Sequence, residues 1–220
     1  MMSYRVLSVA RRPNTDAVNA FRTIPVPMIS DAMGRTRGAV GLRPYHRSGR
    51  MAGPAFTVKT RPGDNLMVLH AIQLAQPGDI IVVDGGGALT NALAGELMQL
   101  WAIQRKLGGF VLDGAVRDVA AYAAADFPCF ARGVIHRGPY KDGPGEINVP
   151  VSVGGLVIEP GDLVVGDEDG LVAVSPTLLD TVLSSCLAKI ESERADKESI
   201  AAGTYPPPWF HKLLAERGLA

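Results

Sequence analysis

The stretch DGGGALTNALAGELMQLWAIQRKLGGFVLDGAVRD, residues 84–118, decides the fold. It follows the β-branched run Ile80–Val83, which predicts a buried strand that the glycines at 85–87 should end. A second apolar run, Phe110–Leu112, predicts the next strand, and Asp113-Gly114 has the composition of a tight turn after it. Both predicted strands therefore end in glycine-containing turns, the place where a parallel sheet usually keeps its site.

A helix is predicted between these two strands. Its apolar residues recur at helical spacing: Leu97, Leu100, Trp101 and Leu107. The glycine pair at 108–109 should stop the helix, because glycine is common just beyond helix C-termini. The order strand, helix, strand is typical of an α/β fold.

Three polar side chains lie at the ends of this unit, in the pattern Glu-x20-Arg-Asp formed by Glu96, Arg117 and Asp118. Taken alone, Glu96 is explained by its favourable interaction with a helix dipole, and an Arg-Asp pair is common on surfaces. Taken together, they suggest chemistry. The backbone amides of Leu97 and Met98 could cradle a small carboxylate, which Arg117 could bind through its planar fork. Asp118 could hold a hard divalent cation such as Mg²⁺, so the set suits a chelating 2-oxo acid.

Composition excludes several classes of partner. The chain has 220 residues, 47% hydrophobic and 20% charged, which is enough for one large domain or one domain with extensions. The formal net charge is zero, so no basic field attracts nucleic acid or anionic lipid. No apolar run reaches membrane-spanning length, and no membrane association is expected.

A cytoplasmic location is expected. The pair Arg11-Arg12 follows the short apolar run Tyr4–Ala10 instead of preceding it, unlike a secretory signal. Cys129 and Cys186 are far apart and form no Cys-x-x-Cys pattern, so we expect buried thiols and no metal site at either.

Five arginines cluster between residues 35 and 50. The favoured interpretation is a solvated loop, because charge runs usually lie on solvated faces. The alternative is that they attract an anionic substrate or the carboxylates of a neighbouring subunit. The five are Arg35, Arg37, Arg43, Arg47 and Arg50.

The remaining elements are predicted from turns and periodicity. Pro77-Gly78-Asp79 recurs as Pro160-Gly161-Asp162, and each copy should be a turn that precedes a strand. Two hairpins are predicted within 149–158 and 163–174. The other predicted elements are helices at Asp16–Arg22, Asp31–Gly34, Asn65–Gln76 and Ala120–Ala125, and strands at Met51–Thr60 and Pro128–Ala131.

The C-terminal part should be helical. Ser175 is expected to cap a long helix with Pro176 in its first turn. A triple proline, Pro206–Pro208, separates it from a short helix, Trp209–Arg217. This tail is too apolar to stay in water, so we expect it to pack on its own chain or on a neighbour.

Several motifs together resemble those of the 4-hydroxy-4-methyl-2-oxoglutarate aldolase family, which shares its fold with the regulator of ribonuclease activity A proteins. They are Gly95-Glu96-Leu97 with its spacing to GAVRD at 114–118, PGEINVPV at 144–151 and PGDLVVGDEDG at 160–170. The resemblance covers about residues 20–176. It implies a single α/β domain of the swivelling β/β/α, phosphohistidine-domain-like type over residues 1–176. A C-terminal helical extension, 177–220, would then pack in the oligomer.

The resemblance also implies an activity and a site. Members are class II pyruvate aldolases that need Mg²⁺ or Mn²⁺, and many also decarboxylate oxaloacetate. By that resemblance Arg117 and Glu96 are catalytic and Asp118 holds the metal. The residues that bind the 2-oxo acid substrate are then Gly95, Glu96, Leu97, Met98 and Arg117. The resemblance places the site between subunits of a homotrimer or a dimer of trimers.

One departure from the family pattern concerns the substrate. The aldolases of aromatic catabolism typically have Asp where this chain has Glu96, whose longer side chain could move the water shell of the metal. The regulator branch typically lacks the Arg-Asp pair, so Arg117 and Asp118 favour an enzyme. The alternative is a non-catalytic regulator of ribonuclease activity that acts by protein–protein binding.

Overall fold

The computed structural model describes residues 3–35, 38–47 and 49–219. Its strands are β1 Tyr4–Val6, β2 Arg43–Pro44, β3 Met51–Thr60, β4 Ile80–Ala94, β5 Gly109–Val116, β6 Cys129–Val134, β7 Gly145–Ile147, β8 Val151–Val153, β9 Leu156–Ile158, β10 Leu163–Asp167 and β11 Gly170–Val174. Its helices are α1 Thr15–Arg22, α2 Val26–Ala32, α3 Leu66–Leu74, α4 Glu96–Gln104, α5 Val119–Ala125, α6 Leu179–Ala201 and α7 Pro208–Glu216.

A mixed sheet organises the chain, in the strand order β1-β7-β3-β4-β5-β6-β2. Its centre, β3 to β6, is parallel, as the strand–helix–strand pattern predicts. β3 joins this centre to an antiparallel layer: its first half pairs with β10, and its second half pairs with β7. β10 and β11 form one hairpin, and β8 and β9 form another.

Alternation along the strands builds three buried layers. Ile81 and Val83 of β4 pack with the face of α3, α4 and α5, whereas Ile80 and Val82 pack toward β8–β11. On the far side, Val165 of β10 packs with α1, α2 and the first turns of α6. Because successive side chains point to opposite faces of a sheet, a strand buried on both faces appears as a continuous apolar run. The result is a helix–sheet–sheet–helix sandwich.

Two predicted turns are wrong. β4 does not end at the glycines but continues to Ala94, with register shifts against β5 after Asp84, Ala88 and Ala92. Positive φ at Gly86 and Gly87 allows these irregularities without breaking the pairing. Asp113-Gly114 is also no turn, because it lies buried inside β5, where the Asp113 carboxylate pairs with Arg132 of β6.

The two leucines of α4 do not face the core. Leu97 and Leu100 are 79% and 52% exposed, whereas Met98, Gln99 and Ala102 are buried. Leu107 lies beyond the helix, which ends at Gln104. α4 is apolar on several sides, so the sequence periodicity does not determine which side contacts the sheet.

Helix boundaries differ at both ends of the chain. Pro27 lies in the first turn of α2, where the N–H that proline lacks would have no partner within the helix. The helical turn predicted at Asp31–Gly34 is wrong, because α2 spans Val26–Ala32. α6 begins at Leu179 and Ser175 does not cap it, since the Ser175 hydroxyl bonds to that of Thr177.

The other predicted elements occur close to their predicted positions. β3 has the predicted bounds, both Pro-Gly-Asp turns precede strands, and both hairpins form. In the arginine cluster, Arg35 pairs with Asp31 and Arg50 donates to the carbonyl of Thr23, while Arg37 lies outside the described residues. None of the helices in the described residues is both long and apolar enough to cross a membrane.

Candidate active site

The predicted site residues lie where β4 and β5 end side by side. The last paired residues of these parallel strands are Ala94 and Val116. Arg117 follows directly and donates its backbone N–H to the carbonyl of Ala94 at 3.1 Å. α4 starts two residues after Ala94, with Gly95 as its N-cap. The carboxyl ends of two neighbouring strands thus place the start of α4 beside Arg117 and Asp118.

Asp118 has a strained backbone and a half-exposed carboxylate. Its φ is +57°, in the left-handed region that costs a non-glycine residue about 1–2 kcal/mol. Its Oδ2 accepts the backbone N–H of Glu96 at 3.0 Å and lies 3.5 Å from Nε of Arg117. Asp118 therefore caps the N-terminus of α4, where the helix dipole favours a carboxylate. Both contacts use the same oxygen, and 44% of the side chain is exposed.

Gly95 is required by close packing. A Cβ at this position would lie 2.5 Å from Oδ2 of Asp118 and 3.0 Å from Nε of Arg117, so any larger residue would displace the pair. The carbonyl of Gly95 accepts the hydroxyl of Tyr122 at 3.3 Å. Burial raises the pKa of Tyr122, so this hydroxyl stays protonated and remains a donor.

The amides at the start of α4 are partly engaged within the helix. The N–H of Met98 donates to the carbonyl of Gly95 at 3.1 Å. The expected anion cradle therefore depends on the Leu97 amide together with the guanidinium of Arg117. Glu96 is the first residue of α4, and its side chain is exposed. Its own backbone N–H is the one that Asp118 caps.

A pocket of about 150 Å³ lies at this junction. Four predicted site residues line it: Gly95, Leu97, Met98 and Arg117. Glu96 and Asp118 are not among the lining residues and adjoin the pocket as chain neighbours of those that are. The glycines at 85–87, which we expected in the wall, do not line it either; a Cβ at Gly87 would meet Arg132 instead. Concavities of about 400 Å³ lie elsewhere on the surface.

Asn65 is a lining residue that the sequence analysis missed. It is 3% exposed, and its Nδ2 donates to the carbonyl of Leu93 at 3.1 Å. Its Oδ1 is buried without a hydrogen-bond partner among the described residues. A buried acceptor without a partner costs about 1–3 kcal/mol, so a ligand that donates to it would bind more tightly.

Lys141 lines the same pocket as Arg117 and brings a second positive charge to it. It lies on an exposed loop whose position is fixed by Asp64. The Asp64 carboxylate accepts the N–H groups of Leu66, Asp142 and Gly143 at 2.8–2.9 Å. This loop therefore depends on a fully buried acidic side chain beside Asn65.

The electrostatics of Asp64 agree with a structural role. Burial raises its pKa, but the three backbone N–H groups and the charge of Arg61, 3.0 Å away, outweigh burial, and the net pKa is lowered. The sequence had a signal for this residue. Pro62-Gly63-Asp64 is a third copy of the Pro-Gly-Asp turn, and this copy precedes α3 instead of a strand.

The donor set fits a cation that keeps most of its water. Among residues 3–35, 38–47 and 49–219, no group of three or more His, Cys, Asp or Glu side chains converges. Asp118 and the adjacent Glu96 offer one or two carboxylates, and Mg²⁺ binds through one or two carboxylates plus water and substrate oxygens. The residues present therefore fit Mg²⁺ or Mn²⁺ in an incomplete protein shell.

The chain belongs to the RraA-like family, described as aldolase/RraA, whose family model matches residues 26–173. A protein of Halalkalibacterium halodurans, named provisionally as a 4-hydroxy-4-methyl-2-oxoglutarate aldolase, is 42% identical over 187 residues, 84% of this chain and 89% of its own length.

Solved structures agree with this fold. An uncharacterised protein from Pseudomonas syringae is similar with a TM-score of 0.80 at 26% identity, over 89% of this chain and 96% of that one. The RNA-processing inhibitor RraA from Thermus thermophilus is similar with a TM-score of 0.64 at 28% identity, over 69% of this chain and 92% of that one. The expected family and its α/β fold are confirmed. The boundary at residue 176 stays a prediction.

Proposed function

We propose that this protein is a divalent-metal-dependent aldolase that releases pyruvate from a 4-hydroxy-2-oxo acid. The observation that supports this most is the junction at the strand ends. There, Arg117 lines one pocket with Gly95, Leu97 and Met98, and Asp118 adjoins it with a half-exposed carboxylate. The relative from Halalkalibacterium halodurans has the matching provisional name.

Each site residue has a role in this reaction. The fork of Arg117 binds the substrate at its 2-oxo oxygen, where negative charge develops as the C3–C4 bond breaks. Asp118 would hold the cation, and Glu96 would hold water of its shell. The backbone at Gly95, Leu97 and Met98 positions the pyruvyl carboxylate. When bound, Mg²⁺ or Mn²⁺ supplies Lewis-acid polarisation of the 2-oxo group. The same arrangement would support oxaloacetate decarboxylation, which also develops charge on that oxygen.

Lys141 favours a substrate with a second carboxylate. It lines the same pocket as Arg117, so a dicarboxylate would meet a second positive charge there. The unpartnered Oδ1 of Asn65 would accept a hydrogen bond from the 4-hydroxyl. We therefore propose a 4-hydroxy-2-oxo dicarboxylic acid, such as 4-hydroxy-4-methyl-2-oxoglutarate, as substrate.

A panel assay tests the proposal. Pyruvate release is measured from several 4-hydroxy-2-oxo acids and from oxaloacetate, with Mn²⁺ or Mg²⁺ and then after exhaustive chelation. We expect turnover with metal, none with chelator, and restoration when metal is added back. Full turnover in chelator would contradict the class II assignment, and no turnover of any acid would contradict the aldolase.

The rival function is a regulator of ribonuclease activity, which the similarity to the Thermus thermophilus RNA-processing inhibitor supports. It predicts binding to a ribonuclease and no dependence on Arg117. We favour the aldolase because Arg117 and Asp118 are both present and lie together. The family resemblance further supports a homotrimer or a dimer of trimers with a site near the subunit boundary, in the cytoplasm.

A further inference from the structure

The Lys141 loop, residues 139–143, is fixed on its inner side by the core of the domain. The backbone N–H groups of Asp142 and Gly143 donate to the buried carboxylate of Asp64 at 2.8 Å and 2.9 Å. Both contacts use N–H groups of the loop, so the carbonyl of Asp142 is left for a different partner.

That partner is Tyr4, in the N-terminal strand β1. The hydroxyl of Tyr4 donates to the carbonyl of Asp142 at 2.6 Å. The ring lies against Gly143, where a Cβ would be 2.7 Å from Cε1 and 2.8 Å from Oη of Tyr4. Gly143 also has a φ of +69°, a backbone conformation that other residues rarely adopt. Glycine at this position therefore permits both the bend of the loop and the close approach of the tyrosine ring.

β1 is held in place by β7, the strand that follows the loop. The two strands pair in parallel, with Tyr4 opposite Gly145. Nε of Arg5 lies 3.2 Å from the carboxylate of Glu146, and the hydroxyl of Ser3 donates to the same carboxylate at 2.8 Å. These contacts fix the register of β1, and the register places Tyr4 beside the end of the loop.

β1 is nevertheless a peripheral element. All three of its residues are exposed, and Tyr4 is 64% exposed. The family model matches residues 26–173, so β1 also lies outside the matched stretch. Segments with few buried contacts open locally at a low cost in free energy. The Lys141 loop is thus held on one side by the core and on the other side by a strand that contributes little to the core.

We propose that β1 is a positioning element of the pocket, and that Tyr4 sets the affinity for a second carboxylate on the ligand. Tyr4 is not among the residues that line the pocket, so it acts through Lys141, the chain neighbour of Asp142. A loop that is fixed before the ligand arrives loses less conformational freedom on binding, and the ligand binds more tightly. This inference rests on the proposed function, which assigns the second carboxylate to Lys141.

The expected effect is selective. A ligand with one carboxylate uses Arg117 and the start of α4, whereas a ligand with two also uses Lys141. Loss of the Tyr4 contact should therefore weaken the binding of dicarboxylates and leave monocarboxylates unaffected. A general loosening of the fold would weaken both, so the ratio of the two affinities separates positioning from a merely structural role.

Calorimetric titration with two 2-oxo acids, in the presence of Mn²⁺, tests this. 2-Oxoglutarate has a second carboxylate and pyruvate does not, and neither has the 4-hydroxyl that the cleavage requires. Tyr4→Phe keeps the ring and removes the donor. We expect its dissociation constant for 2-oxoglutarate to rise about two- to tenfold, the range of one neutral hydrogen bond, with that for pyruvate unchanged. Tyr205→Phe, an exposed tyrosine between α6 and α7, is the matched control and should change neither.

A double-mutant cycle tests the route through the loop. In a Lys141→Ala background, Tyr4→Phe should have no effect on 2-oxoglutarate, because the residue through which Tyr4 acts is absent. Hydrogen exchange needs no ligand: the amides of Asp142 and Gly143 should exchange faster in Tyr4→Phe than in wild type or in Tyr205→Phe.

Three results would overturn the proposal: an unchanged affinity for 2-oxoglutarate in Tyr4→Phe, an equal loss for both acids, or unchanged exchange of the two amides. None of these measurements records pyruvate release, so each of them leaves the aldolase assay to be judged separately. Conversely, a protein that releases no pyruvate but binds 2-oxoglutarate in a Tyr4-dependent way would contradict the aldolase and support the positioning role of β1.

Discussion

Two acidic residues, each a chain neighbour of a residue that lines the pocket, differ in how they are held. Asp64, beside Asn65, is fully buried and accepts three backbone N–H groups and the guanidinium of Arg61. Asp118, beside Arg117, is 44% exposed and uses one oxygen for both of its contacts. The first carboxylate has its hydrogen-bonding capacity filled by the fold, and the second has capacity for a ligand.

This difference separates a structural carboxylate from a functional one better than sequence position does. Both residues lie directly before or close to a helix start, Asp64 before α3 and Asp118 before α5. Asp64 pins the loop that presents Lys141, whereas Asp118 has a left-handed backbone that the start of α5 would not need for helix formation alone. Strain at a half-exposed carboxylate is typical of functional sites.

The largest expected effect concerns Arg117, the neighbour of Asp118. Arg117→Lys keeps the charge but loses the planar two-donor fork, so contact with the developing oxyanion is weakened. We expect kcat for pyruvate release to fall about 10²–10³-fold, the effect of losing one such donor. Arg194→Lys, on exposed α6, is the control. A near-normal kcat in Arg117→Lys would make Arg117 a structural residue.

Asp64→Asn should reduce stability. The amide nitrogen cannot accept, so at least one buried backbone N–H loses its partner, and the charge that pairs with Arg61 is gone. We expect the free energy of unfolding to fall by about 2–3 kcal/mol, measured by urea denaturation. Asp142→Asn removes an exposed carboxylate near the same arginine and should cost little. Equal stabilities of the two variants would break the contrast drawn here.

Asp118→Asn should leave stability nearly unchanged and weaken metal binding. The side chains are nearly equal in size, and the exposed position tolerates the change, so the melting temperature should stay within a few degrees. Affinity for Mn²⁺, measured by calorimetric titration, should fall about 10–100-fold because the anionic ligand is lost. Unchanged affinity would place the metal elsewhere, with Glu96 and Asp84 as the next candidates.

The smallest expected effect is a loss of folding stability at acid pH. The folded-state pKa of Asp64 is lowered from its usual value of 3.8. Its contribution to stability is therefore complete above that value and is lost as the pH falls through the folded-state pKa. As the pH falls below 3.8, the difference in unfolding free energy between wild type and Asp64→Asn should therefore shrink. A difference that does not change with acid pH would mean that the charge of Asp64 does not stabilise the loop.

Sequence patterns predicted the positions of the helices and strands better than the contacts that these elements make. β3, the Pro-Gly-Asp turns and the hairpins follow from local chemistry, because glycine and proline restrict the backbone wherever they occur. The glycines at 85–87 were misleading for the same reason. Positive φ usually ends a regular strand, but at Gly86 and Gly87 it permits bulges in β4, which continues to pair with β5.

The sequence by itself determined the α/β fold, its parallel centre and the family, because alternation, turn residues and motif spacing are properties of the chain. It also placed Glu96, Arg117 and Asp118 at strand and helix ends. Only the tertiary structure decided which face of α4 is buried and that the Pro62-Gly63-Asp64 turn holds the loop of Lys141. It alone shows that Asn65 has an unpartnered oxygen in the pocket wall. These facts depend on contacts between segments far apart in the chain, and no local pattern encodes such contacts.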